Sequence, residues 1–122
     1  PVVSPLLFVA AALAGGVGSV LRYVVDQGVA RFAGRRYPWG ILIINITGAF
    51  ALGLVTMALP EQLFLVGAGL MGGYTTFSTA MLDTVALQRG GARRAAAFNA
   101  VGMLVLGLLA AGAGLALGAV LR

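Results

Sequence analysis

The sequence predicts an all-α membrane protein in which four hydrophobic helices pack as one small domain. Three observations carry this reading. Only 9% of the 122 residues are charged, whereas a soluble domain carries about 25%, and the mean hydropathy is +1.04. Four apolar stretches recur along the chain, each near the roughly 20 residues that a bilayer-crossing helix needs. Between them lie only short segments marked by arginine or proline, which leaves no room for a soluble catalytic domain.

The first span is expected at about 5–25. Pro5 suits a first helical turn, where its missing N–H leaves no bond unmade. The stretch from Pro1 to Ala14 reads as part of this helix and not as a leader, because it lacks a basic start and further spans follow. Gly15, Gly16 and Gly18 would let helices approach closely in lipid. Arg22 and Asp26 stand at i, i+4 and are expected to pair. Residues 27–37 read as a mixed loop or amphipathic turn carrying Arg31, Arg35 and Arg36. The second span is expected at about 39–59, with Tyr37 and Trp39 as interfacial aromatics at its start. Pro60, Glu61 and Gln62 form a turn. The third span, about 63–87, is interrupted by Gly72-Gly73-Tyr74-Thr75-Thr76, a poor helix interior. After the loop with Arg89, Arg93 and Arg94 comes the fourth span, about 95–121, which is rich in glycine.

Composition removes whole classes of chemistry. The chain has no cysteine and no histidine, so disulfide frameworks and thiolate or imidazole metal sites are excluded. Its only acidic residues are Asp26, Glu61 and Asp83, too few for a carboxylate cage. The net charge of +5 reads as loop arginines that orient helices in a membrane, not as a nucleic-acid surface.

The candidate functional residues are the polar groups that interrupt the apolar runs. Non-helical backbone at membrane depth is tolerated where it is buried in protein or lines a cavity, and a broken helix releases carbonyls and N–H groups for ions. Phe77, Ser78 and Thr79 follow the interruption and place an aromatic ring beside hydroxyls. Asn45, among Ile43, Ile44 and Ile46, is either interhelical glue or an N–H donor to a passing anion. Asn99 allows the same two readings, with glue favoured. Arg22 lies roughly 24 Å along its helix, near an interface, where it either snorkels or draws anions into a vestibule. Asp83 reads as a structural or vestibule carboxylate, and with Arg22 and Arg89 on the same membrane side an ion pair is the plainer account.

Three strings together resemble the Fluc (CrcB) family of fluoride channels. They are Gly18-Ser19-Val20-Leu21-Arg22; Trp39-Gly40 with Asn45 five residues on; and Gly72-Gly73-Tyr74-Thr75-Thr76-Phe77-Ser78-Thr79. The resemblance implies an antiparallel, dual-topology dimer with two fluoride pores along the subunit interface. It also implies a structural Na⁺ at the dimer centre, held by the backbone carbonyls of Gly72 and Thr75. Asn45 would be the pore amide, Phe77 a pore-lining ring, Ser78 and Thr79 pore hydroxyls, and Arg22 a vestibule charge. The implied location is the cell membrane of a prokaryote. Departures from the family pattern are Ala80 in place of a second Phe, and Phe98 and Gly102 in place of a Tyr and a Ser. They imply an altered pore.

Two alternatives compete. A small multidrug exporter needs a membrane-embedded carboxylate, and the only glutamate, Glu61, sits in a turn. A non-conducting subunit that completes a partner's channel fits the departures at Ala80, Phe98 and Gly102. Charge asymmetry bears on the second. Arg31, Arg35, Arg36, Arg89, Arg93 and Arg94 fall on one side of a four-span frame, and Arg122 on the other. Short basic loops favour the cytoplasm, so insertion is expected mostly one way, with both termini outside. That favours a heterodimer over a homodimer.

Overall fold

A computed structural model describes residues 3–122, and among them every regular element is helical. Pro1 and Val2, included in the expected first helix, lie outside the described residues. Helix α1 spans Pro5–Ala33, and Ser4 caps it by accepting the Leu7 N–H through its hydroxyl at 3.1 Å. Helix α2 spans Trp39–Ala58. Helix α3 occupies 63–74, with widened π-type hydrogen bonding over Leu63–Met71 before the α-helical turn Gly72–Tyr74. Helix α4 is Phe77–Arg89. Helix α5, Arg93–Leu121, contains a π-type turn at Phe98–Gly102. Three of these helices (α1, α2 and α5) are long and apolar enough to cross a membrane.

The first helix is longer than expected. The mixed segment 27–33 continues α1, and the chain turns only at Gly34, whose φ of 74° is the left-handed region that glycine adopts readily. The helix accommodates Gly28 and carries Arg31 on its exposed last turn, whereas Arg35 and Arg36 follow in the connection to the second helix. The expected Arg22–Asp26 pair does not form, although both residues lie on α1. The turn at Gly34 brings Arg35 back over Asp26, and these two form the ion pair, at 3.5 Å. Asp83 likewise has no ion pair among the described residues, where Arg35–Asp26 is the only one.

The bundle is assembled from two close-packed pairs, α1 against α3 and α2 against α5. Small residues make both contacts possible. A methyl group at Gly73 would overlap the Gly15 carbonyl, and one at Gly114 would overlap the Phe50 carbonyl. Backbone-to-backbone approach of this kind is how helices associate in lipid, where apolar burial supplies no drive. Ser19 Oγ strengthens the first pair by reaching the Gly73 carbonyl at 3.3 Å. Between the pairs, Ile41, Ile44 and Ala80 form the small buried core. Ala80, which stands where the resemblance implies a pore ring, is 1% exposed and serves as a packing residue.

Asn99 ties the basic end together and is fully buried. Its Nδ2 donates to the Ala80 carbonyl at 3.3 Å and to Thr84 Oγ1 at 2.9 Å, and its Oδ1 accepts from the Tyr37 hydroxyl at 3.0 Å. Every hydrogen-bonding group of this buried amide therefore has a partner, as stability requires. Burial pushes the Tyr37 phenol above its ordinary range, so it stays protonated and remains a donor. Asn99 is the glue residue of the two readings open to it.

Candidate ion-conduction site

Helical dihedrals end at Tyr74. Thr75 (φ −82°, ψ 160°) and Thr76 (φ −150°, ψ 124°) are extended, and the helix restarts at Phe77. Gly72, part of the interruption read from sequence, has helical dihedrals (φ −61°, ψ −38°). The glycines serve packing, and the threonines carry the non-helical backbone. Two side chains stabilise this geometry. Thr76 Oγ1 caps the new helix by accepting the Thr79 N–H at 3.2 Å, as threonine commonly does at an N-cap. Asn45 holds the same residue from α2: its Oδ1 accepts the Thr76 N–H at 2.9 Å, and its Nδ2 donates to the Thr76 carbonyl at 2.8 Å. The carboxamide thus mimics a neighbouring peptide unit, satisfying backbone that a continuous helix would have satisfied itself.

These substitutions release two carbonyls. The N–H of Thr76 turns to Asn45 and no longer reaches back to the Gly72 carbonyl; the N–H of Thr79 turns to Thr76 Oγ1 and no longer reaches the Thr75 carbonyl. Both oxygens therefore lack their ladder donors. The described residues contain no group of three or more acidic, histidine or cysteine side chains that could hold a metal. Free carbonyls are the hard oxygen donors that suit a cation such as Na⁺, so the backbone fits such an ion where the side chains do not.

Beside the extended residues lies a cavity of about 410 Å³. Asn45, Gly72, Thr75, Thr76 and Phe77 line it, together with Met71, Met81 and Met103. Its walls are mostly apolar, with a few polar groups at the interruption. Phe77 is 78% exposed, one of many large apolar side chains open on the helix surfaces, Phe8 and Phe32 among them. A second, more polar pocket of about 270 Å³ lies at the basic end, lined by Asp26, Arg35, Tyr37, Thr79 and Asp83 among others.

The expected site residues therefore divide. Asn45, Gly72, Thr75 and Phe77 share the first cavity, and Thr79 faces the second. The two are joined by hydroxyls, since Thr76 Oγ1 donates to Thr79 Oγ1 at 3.2 Å. Ser78 is exposed and lines neither pocket, though its Oγ lies 3.4 Å from Thr76 Oγ1. Arg22, half-buried on α1, also lines neither. Sequence reasoning missed Thr76 as the residue whose backbone Asn45 clamps and whose hydroxyl caps the next helix, and missed Met103, whose Sδ accepts from Asn45 Nδ2 at 3.1 Å.

Known proteins are similar to this chain in sequence. A protein of Leifsonia xyli subsp. xyli named Fluoride-specific ion channel FluC 1 is 47% identical over 121 residues, covering 94% of this chain and 88% of that one. A protein of Mycobacterium tuberculosis named Fluoride-specific ion channel FluC 2 is 48% identical over 107 residues, covering 86% and 85%. One from Agrobacterium fabrum, Fluoride-specific ion channel FluC, is 43% identical over 115 residues, covering 88% and 91%. Residues 9–115 match the family described as CrcB-like protein, Camphor Resistance (CrcB). With nearly the whole helical frame matched, the chain belongs to the CrcB family.

Proposed function

We propose that this chain is a subunit of a fluoride-selective channel that lets fluoride leave the cell passively, with no catalytic step. The observation that carries the reading is the Asn45–Thr76 clamp, which holds extended backbone open beside a cavity flanked by an exposed phenyl ring. Fluoride is small and strongly hydrated, so a narrow path must replace its water with aimed donors. An amide N–H, threonine hydroxyls and the electropositive edge of a phenyl ring are such donors. In this reading Asn45, Phe77, Ser78 and Thr79 line the path, and Arg22 supplies vestibule charge.

The stretch 63–89 crosses the membrane as one span in two pieces, with Thr75 and Thr76 at its centre. The open cavity and exposed Phe77 are covered by an antiparallel second subunit. Na⁺ binds at the subunit junction through the carbonyls of Gly72 and Thr75, where its charge stabilises the released backbone oxygens. The expected test is fluoride efflux from liposomes reconstituted with the purified chain. Efflux that appears only on adding a second family member identifies a helper subunit; no efflux in either case sinks the channel reading.

The partner is a different chain. The loops 34–38 and 90–92 and the helix ends beside them carry Arg31, Arg35, Arg36, Arg89, Arg93 and Arg94. That end faces the cytoplasm of a prokaryotic cell by the preference of short basic loops. An antiparallel homodimer needs near-equal insertion both ways, which this asymmetry opposes. Reporter domains fused to the chain expressed alone are expected to show one dominant orientation. Equal populations of both orientations would remove the ground for an obligate partner.

A further inference from the structure

Both amide protons of Asn45 are engaged, but unequally. One meets the Thr76 carbonyl at 2.8 Å, which fixes the carboxamide against flipping because Oδ1 is held at the same time by the Thr76 N–H at 2.9 Å. The other meets only the thioether of Met103, at 3.1 Å. A thioether sulfur is a weak, neutral acceptor, and Met103 lines the same cavity as Asn45, Thr76 and Phe77. Unbranched methionine has three soft torsions and withdraws readily. Hydrogen bonds to an anion are roughly twice as strong as bonds between neutral groups.

We propose that Met103 is a specificity-determining residue of the fluoride path: its Sδ is a weak stand-in acceptor that keeps one Asn45 N–H aimed into the cavity until fluoride displaces it. This rests on the reading of Asn45 as the pore amide. Without an acceptor, that N–H would be unsatisfied beside apolar walls; with a carbonyl there, fluoride would have to compete with a strong neutral bond. The thioether lies between these extremes. It preorganises the donor and yields it at small cost, which an ion that must leave as readily as it enters requires. Met103 packs against the Ile41, Ile44 and Ala80 core, so its chain is anchored while its sulfur faces the donor.

The test uses the conducting assembly and the accident that the chain has two asparagines, Asn45 and Asn99. Selective ¹⁵N-asparagine labelling gives two side-chain amide groups with two proton signals each, with fully buried Asn99 as an internal reference for folding. Sodium fluoride, but not sodium chloride, is expected to shift one Asn45 proton and leave its geminal partner and both Asn99 protons in place. Met103→Leu keeps the volume without the acceptor; its Asn45 proton should already be displaced in fluoride-free buffer, and flux should fall about twofold because the donor is no longer held toward the cavity, a loss smaller than that of a full hydrogen bond. Met103→Gln supplies a carbonyl, and flux should fall roughly fivefold, the scale of one net hydrogen bond, with the Asn99 signals unchanged. If fluoride moves the Asn45 proton in the unsubstituted protein but both variants shift and conduct identically to it, the role of Met103 is overturned and the pore amide survives. If a conducting protein shows no fluoride effect on either Asn45 proton, the pore-amide reading itself falls.

Discussion

Replacing Asn45 by Asp is expected to reduce fluoride flux by about a hundredfold or more. The two side chains are nearly the same shape, so the effect isolates chemistry. Oδ1 of the aspartate can still accept the Thr76 N–H, bonded at 2.9 Å to the present amide. Its second oxygen, however, replaces the nitrogen that donates to the Thr76 carbonyl at 2.8 Å. Two acceptors then face each other in a partly buried site, and the carbonyl loses its donor. Leaving such a group unsatisfied costs about 3 kcal/mol when charge is involved, or roughly a hundredfold in rate. An anion in the path adds repulsion toward fluoride itself. Efflux from liposomes reads the outcome directly, with retention on size-exclusion chromatography as the folding control. Unchanged flux in a folded Asn45→Asp protein would take Asn45 out of the pore.

Much of the fold was legible because lipid imposes a simple code. Long apolar runs became α1, α2 and α5, and Gly18 of α1 with Gly114 and Gly118 of α5 stand at close helix contacts, whereas Gly16, Gly107 and Gly112 meet nothing within 4 Å. The interruption was visible as a run of poor helix formers, yet its centre was displaced: Gly72 is helical, and Thr75 and Thr76 are extended. Local propensity could not locate it, because the decisive partner is Asn45, 31 residues away. The same limit explains the ion pair. Sequence spacing offered Arg22 to Asp26 at i, i+4, whereas a glycine turn delivered Arg35 from nine residues on. Asn45 stood out as a carboxamide among isoleucines. Met103 did not, since a methionine in a hydrophobic helix carries no signal of its own; only proximity to an amide makes its sulfur notable. The hydroxyl chain from Thr76 to Thr79 was present in the sequence string, but its division between two cavities depends on how α4 restarts.

Gly18→Ala is expected to destabilise the chain by about 3 kcal/mol, the upper range for overpacking, and to lower its apparent unfolding midpoint by roughly 10 °C. The reason is the identity of the neighbours. A methyl group at Gly18 would overlap the Leu70 carbonyl and approach the Tyr74 nitrogen at 2.7 Å and the Gly73 carbonyl carbon at 3.1 Å. All three are backbone atoms, so no rotamer change relieves the overlap; α1 and α3 must separate. Separation also stretches the Ser19 bond to the Gly73 carbonyl, now 3.3 Å, and disturbs the turn that leads into Thr75 and Thr76. Fluoride flux should therefore fall together with stability. Gly16 provides the contrast two residues earlier on the same helix. A methyl group there meets nothing within 4 Å, and replacing an exposed helical glycine by alanine gains up to about 1 kcal/mol of helix propensity. Gly16→Ala is accordingly expected to match or exceed the unsubstituted protein in a thermal unfolding series in detergent. Equal losses at both positions would mean that a different surface packs against the Gly16 face, and the α1–α3 contact described here could not be what holds the interrupted helix in place.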